Sequence, residues 1–290
     1  MKDVEYKVEA ADTLLPFLLE HVKGKSRNAV KGVLSRRQVL VDGAVSTQFD
    51  APLRPGQTVT VLAAGADAGE ELPFPILYED GQLLAVDKPA GLLSMATDRE
   101  KHRTAYRAVT DYVRRTDPRN RVFIVHRLDR DTSGVLVFAK SEETKRALQD
   151  NWDKLVEKRG YTAVVEGAPP EDEGEVKSFL VETATHLVFS GHPGKKAKEA
   201  VTRYRVAARG RGYSLVEVEI DTGRKNQIRV HMQDLGCPVA GDKQYGAKTD
   251  PLGRLGLHAG TLVLKHPRTG KRLELNAPLP GGFRRLVSGK

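Results

Sequence analysis

The stretch His126-Arg127-Leu128-Asp129-Arg130-Asp131-Thr132-Ser133-Gly134 sets two carboxylates among an imidazole and two guanidiniums. Positive charge at that spacing would keep a carboxylate ionised and available as a nucleophile. The run from Gly134 to Ala139 is continuously apolar and reads as a buried strand. A loop held by such a rigid element is a usual seat for catalytic groups. The same residues admit a plainer reading, in which Asp131-Thr132-Ser133-Gly134 is a turn bonding its own backbone and the rest is a surface ion-pair cluster. Residue types alone leave both readings open.

The elements around this loop can be placed from the apolar pattern. Residues 76–89 read as strand, turn, strand and a Pro-Ala-Gly stop, and Ala105, Val109 and Val113 mark a helix over 104–115. Ser141 is the expected cap of a helix with Glu142 and Glu143 in its first turn. Ala147, Leu148, Trp152 and Leu155 form its apolar face, and Gly160 is its expected end. Tyr161 then opens a strand over 161–165, and further strands are expected near 176–182, 200–207 and 213–220. A short helix is expected from Gln227 to Leu235, stopped by Gly236. Its stripe of Ile228, Met232 and Leu235 leaves Arg229 and Gln233 on another face. Taken alone, Tyr161 would be core or interface and Arg229 a surface arginine. The mix is α+β, with too many consecutive strands for a doubly wound sheet.

Upstream, residues 63–72 are small, polar and without an apolar period, which predicts a linker between a module over 1–62 and a domain over 73–290. In the first module Leu14, Leu15, Leu18 and Leu19 fall at helical spacing. A second helix, capped by Ser26, follows in a segment carrying Lys23, Lys25, Arg27, Lys31, Arg36 and Arg37 and no acid between 23 and 37. Val39-Leu40-Val41 and Thr58-Val59-Thr60-Val61 read as strands, with turns at Asp42-Gly43 and Pro55-Gly56.

The 290 residues carry a net charge of +9, and a 39% hydrophobic fraction is enough for a core. A surplus of that sign attracts polyanions such as nucleic acid. No run approaches the roughly 18 apolar residues of a membrane span, and the acid-bearing N-terminus does not read as a signal peptide. Cys237 is the only cysteine, which excludes an intramolecular disulfide and a multi-cysteine zinc site. His126, His231, His258 and His266 lack spaced metal partners, and there is no phosphate-binding Gly-rich loop. The expectation is a cytoplasmic nucleic-acid-binding protein, monomeric, off the membrane, with no metal and no cofactor.

Residues 126–134 match every fixed position of His-Arg-Leu-Asp-x-x-Thr-Ser-Gly, and so resemble the RluA family of RNA pseudouridine synthases. Glu157-Lys158-Arg159-Gly160-Tyr161 and the strand after it resemble the family's tyrosine motif, with Arg159 where lysine is frequent. Thr222-Gly223-Arg224-Lys225-Asn226-Gln227-Ile228-Arg229-Val230-His231 resembles its arginine motif, with Lys225-Asn226 where Thr-His is frequent. Residues 254–259 and 266–270 resemble its C-terminal stretch and are assigned to structure. Residues 9–62 resemble an S4 module, although Ala11-Asp12-Thr13-Leu14 stands where such modules often carry Arg-Leu-Asp.

The resemblance implies a fold and a set of roles. The fold would be a mixed, largely antiparallel sheet domain behind a small S4-like module. Asp129 would be the catalytic aspartate, Tyr161 the active-site tyrosine and Arg229 the partner of the aspartate. Arg127 would enter the RNA in place of a flipped uridine, while Asp131 falls at a variable position. Lys25, Arg27, Lys31, Arg36 and Arg37 would contact RNA from the S4-like module. The implied reaction is isomerisation of uridine in RNA, with ribosomal RNA of the large subunit favoured and transfer RNA an alternative. A non-catalytic S4-type RNA binder and a hydrolase of the same glycosidic bond are the rival readings.

Overall fold

Ser26 accepts the backbone N–H of Ala29 at 3.3 Å and so starts the second helix as its sequence predicts. The computed structural model describes residues 3–24, 26–35, 38–63, 72–98 and 100–288. Lys25, Arg36, Arg37 and most of the expected linker lie outside the described residues. The chain groups into two units, Met1–Pro73 with Asp111–Arg119, and Phe74–Thr110 with Asn120–Lys290.

The first unit contains β1 (Val4–Lys7), β2 (Asp12–Thr13), α1 (Leu14–His21), α2 (Arg27–Ser35), β3 (Val39–Val41), β4 (Ala44–Val45), β5 (Pro52–Leu53) and β6 (Thr58–Val61). An antiparallel sheet in the order β1-β6-β3-β4 packs against the two helices. Leu14, Leu15, Leu18, Val30, Val39 and Val59 fill the space between them. Asp42 and Gly43 both take positive φ, 50° and 81°, which closes the β3–β4 hairpin with the twist that paired strands need.

The second unit runs β7 (Ile76–Glu79), β8 (Leu83–Lys88), the first residues of α3 (Ala105–Arg114, which groups with the first unit from Asp111), β9 (Phe123–Ile124), β10 (Ser133–Ala139), α4 (Glu142–Asp150) and α5 (Trp152–Leu155). It continues with β11 (Val156–Glu166), β12 (Glu173–Glu182), β13 (Val188–Gly191), β14 (Lys198–Gly210), β15 (Tyr213–Ile220) and α6 (Gln227–Asp234), then β16 (Leu257–Lys265), β17 (Arg272–Asn276) and α7 (Gly281–Val287). Its strands form one mixed sheet ordered β13-β12-β14-β15-β11-β16-β10-β8-β7, with β17 beside β16 and β9 beside β10. Every pairing is antiparallel except β10 with β16. All seven residues of β10 are buried, as its apolar run requires.

One expected element is redrawn. The helix begun at Ser141, whose Oγ accepts the Thr144 N–H at 3.1 Å, does not continue to Gly160. It stops at Asp150, restarts as the single turn α5, and gives way to strand from Val156. Asn151 causes the break, because its side chain donates back to the Ala147 carbonyl at 3.1 Å while its own backbone leaves helical geometry. Gly160 is therefore inside β11, paired with Glu219 and Thr261, and Tyr161 lies in mid-strand.

Candidate active site

The segment 126–134 leads into β10 with its backbone held from outside at Leu128 and Arg130. The ring of His126 lies 5.3 Å from that of Trp152 and accepts the Val137 N–H on Nε2 at 3.0 Å. Burial pulls its pKa down to about 4, so the ring is neutral and free to accept. Ser94 Oγ donates to the Leu128 carbonyl at 2.7 Å and accepts the Leu128 N–H at 3.0 Å. The Lys88 ammonium is fully buried and donates to the carbonyls of Arg130, Pro89 and Leu92 at 3.0, 2.9 and 2.7 Å. Three donors thus meet three acceptors, although burial still lowers its pKa to about 8.

The exit from the loop is equally constrained. Arg254 donates to Ser133 Oγ at 2.7 Å, and Ser133 is bonded in turn to His258 Nδ1 at 2.8 Å. Gly134 has φ of 115°, and a Cβ there would stand 2.1 Å from the Ala259 carbonyl oxygen. Only glycine lets β10 run alongside β16 at that point.

Against this fixed backbone Asp129 keeps its carboxylate uncommitted. It is half-buried, and none of its hydrogen bonds to a side chain appears among the described residues. Burial raises its pKa, opposed by the charges of Arg229, Arg127, Lys225 and Lys88 in that order. The sequence reading expected positive charge to prevail, but desolvation outweighs it here. Tyr161, from β11, is close enough for the Asp129 charge to act on it, and burial lifts its phenol to about 12. It therefore stays protonated near neutral pH. Arg127 is exposed, beside Asp129 on the same loop.

Arg229 is brought in by α6, whose first residues are tied down through their side chains. Gln227 bonds Val201, Thr202, Thr222 and Arg224, and His231 bonds Thr202 and Ser178. Asn226 precedes the helix in the left-handed region, φ 54°. Arg229 does not pair directly with Asp129 as expected. Its fork grips Asp242 at 2.6 and 2.7 Å, with Asn226 at 3.0 Å and the Tyr245 ring face 4.6 Å away. Asp242 is the nearer carboxylate, 1% exposed and set by the turn after Gly241. Arg229 influences Asp129 by its field alone.

Sequence reasoning passed over Lys88, Ser94 and Asp242, and assigned Arg254 to structure without naming its partner. A signal existed for Lys88, which alternates with Leu84 and Val86 on one face of β8, an apolar position. The others have no local signature, since their partners lie far along the chain. In the first unit, Arg27 and Lys31 are exposed on α2, with the Lys31 ammonium 5.5 Å over the Phe49 ring.

A family model described as RNA pseudouridylate synthase matches residues 82–234. An uncharacterised RNA pseudouridine synthase of Bacillus subtilis, YlyB, is 34% identical over 98% of this chain and 94% of its own length. Ribosomal large subunit pseudouridine synthase D of Nitrosomonas europaea is 33% identical over 90% of this chain and 79% of its own. Among solved structures, human RNA pseudouridylate synthase domain containing 4 superposes with a TM-score of 0.60 at 25% identity, covering 73% of this chain and 92% of that one.

Proposed function

Because this chain belongs to the RluA-type RNA pseudouridine synthases, an isomerase family, we propose that it converts chosen uridines of large-subunit ribosomal RNA, with Asp129 acting at the sugar. The observation that carries the assignment of Asp129 is its free, half-buried carboxylate on a pinned loop, within electrostatic reach of Tyr161, Arg229 and Arg127. The ribosomal substrate is supported by relatives from three bacteria, each described as acting on the large ribosomal subunit.

The reaction breaks the N1–C1′ bond of uridine, turns the base and forms C5–C1′. The C5 proton leaves, N1 gains one, and no redox change occurs. A stacked uridine hides these atoms, so it must first flip out at a cost of a few kcal/mol. Arg127, exposed on the same loop as Asp129, would fill the gap it leaves. Asp129 then either attacks C1′ or takes the C2′ proton, and both require its ionised form. Burial that raises its pKa strengthens it as a base. The rate should therefore fall on acidification through a value above the ordinary carboxylate range, which a pH–rate profile reads directly. Tyr161, protonated, would pack against the base and orient it. Arg229 would lend positive potential without capping the carboxylate.

The first unit would act as an S4-like RNA-binding module over residues 1–62, joined by 63–72 to a catalytic domain over 73–290. In it, Arg27 and Lys31 would contact phosphates, joined by Lys25, Arg36 and Arg37, which lie outside the described residues. The same reading makes the protein a cytoplasmic monomer. Among the described residues no helix is long and apolar enough to cross a membrane.

The test is release of tritium from C5-labelled uridine in ribosomal and transfer RNA transcripts. Wild-type protein should release it from large-subunit ribosomal RNA, while Asp129→Asn binds the same RNA and releases none. Turnover near wild type in that variant would sink the role of Asp129. Release from transfer RNA alone would move the substrate class, and free uracil as product would mean hydrolysis.

A further inference from the structure

Beside Arg229 lies a cavity of about 320 Å³ that neither Asp129 nor Tyr161 lines. That volume falls at the small end of ligand pockets, roughly 300–1,000 Å³. Three of its lining residues are Gly91, Gly241 and Gly253, all at positive φ, so those walls are bare peptide planes. The side-chain acceptor on its other walls is committed, while Arg229 and Arg254 keep some N–H donors to spare. Arg229 and Asp242 pair with one another, and Arg254 donates to Ser133 and to the Leu255 and Leu257 carbonyls.

Asp131 is the exception. Among the described residues its carboxylate is hydrogen-bonded by Arg130 alone, at 3.2 and 3.4 Å in an exposed pair, and it also feels the charges of Lys88 and Arg254. An ionised carboxylate offers about four lone-pair positions, so acceptor capacity remains on both oxygens. Flat, bare walls with one outward pair of acceptors suit a planar group that presents two parallel N–H donors. Among nucleobases this is guanine, through N1–H and its 2-amino group. Adenine and cytosine set one amino group beside a ring acceptor, and uracil flanks its N–H with two carbonyls. A phosphate is disfavoured by the carboxylate itself.

Asp131 is two residues from Asp129 on the loop whose Arg130 carbonyl is held by Lys88, so the backbone between the two residues is fixed. It also occupies a position that the nine-residue motif leaves variable, where a difference between enzymes can reside without harm to the chemistry. We propose that this cavity receives the base of a nucleotide adjoining the target uridine, and that Asp131 selects guanine there. The proposal rests on the assignment of the reacting site to Asp129.

The test uses the transcript that releases tritium, remade with each of the four bases at either neighbour of the target, and wild type, Asp131→Ala and Asp131→Asn. Wild type should favour guanine at one neighbour by roughly tenfold in kcat/KM, the scale of one bidentate base contact. Asp131→Ala should level the panel to within about twofold on the same scale. Asp131→Asn, which swaps one acceptor for a donor, should lose the guanine preference and gain on adenine, cytosine and uracil, each of which sets a donor beside an acceptor. Indifference of the wild type at both neighbours overturns the proposal. So does an equal loss on every RNA in Asp131→Ala, which would seat the target uridine itself in the cavity or make Asp131 a support of the loop. If the alanine variant does not fold, the isosteric asparagine variant decides, and an unchanged guanine preference in it is fatal. Asp129→Asn on the same panel keeps the premise separate: it should silence every RNA alike, and surviving turnover removes the premise rather than the subsite.

Discussion

The loop that carries Asp129 and the helix that carries Arg229 are fixed by opposite means. On the loop, buried side chains from elsewhere seize the backbone, Lys88 at Arg130 and Ser94 at Leu128, while at its exit the Ser133 side chain is bonded to Arg254 and His258. On the helix the side chains themselves are seized, Gln227 and His231 by strand groups and Arg229 by Asp242. Holding the backbone leaves a side chain free to react. Holding the side chain yields a stationary charge. The mechanism proposed for the site uses one of each.

The comparison can be broken most forcefully at Asp242. Asp242→Asn leaves the Arg229 guanidinium buried without its counter-charge, and should cost about 3–5 kcal/mol of stability in denaturant unfolding. A loss under about 1 kcal/mol would mean that Arg229 is not committed as its geometry implies. Acid gives the next effect. His126 and His231, one in each region, are both held down to about 4 by burial. The unfolded chain binds their protons below about 6.5 and the folded one does not, so stability falls as pH falls from that value towards 4. Between pH 7 and 5 each ring should contribute on the order of 2 kcal/mol to that fall. His126→Asn and His231→Asn should each remove one share of the slope, and an unchanged slope in either refutes its assignment.

Lys88→Met strips the bond from three carbonyls and should destabilise by about 1–3 kcal/mol, the desolvation of groups left unmatched, with turnover falling more than RNA affinity. Asp129→Asn is the smallest and sharpest case. Since burial penalises its charge, the amide should leave stability unchanged or raise it by up to about 1 kcal/mol while turnover vanishes. A clear destabilisation would show that Asp129 is bound into the structure as Arg229 is.

The loop was legible in the sequence because its residues are contiguous and the buried strand after them is unmistakable. Tyr161 and Arg229 were singled out through motifs of the same kind, and the α+β mixture followed from strands crowded between 161 and 220. The break at Asn151 was not legible, since the apolar spacing of Leu148, Trp152 and Leu155 continues across it and one side-chain bond ends the helix. Nor was the partner of Arg229. Choosing Asp242 over Asp129 depends on where the turn after Gly241 brings the chain, a tertiary fact with no local pattern.

The single parallel pairing in the sheet, β10 with β16, has a consequence for when the enzyme comes to life. Ser133 is bonded to His258 across 125 residues of chain, and Gly134 lies against Ala259. Contacts so distant in sequence form late, after the intervening strands have ordered. A ribosome delivering this chain from its N-terminus releases the first unit, and with it Arg27 and Lys31, long before strand β16 emerges. A nascent chain can therefore present its basic helix while the aspartate loop is still without one wall. Isomerisation must wait until Leu257–Lys265 has been made, so that incomplete copies are kept from modifying RNA by the order of assembly itself.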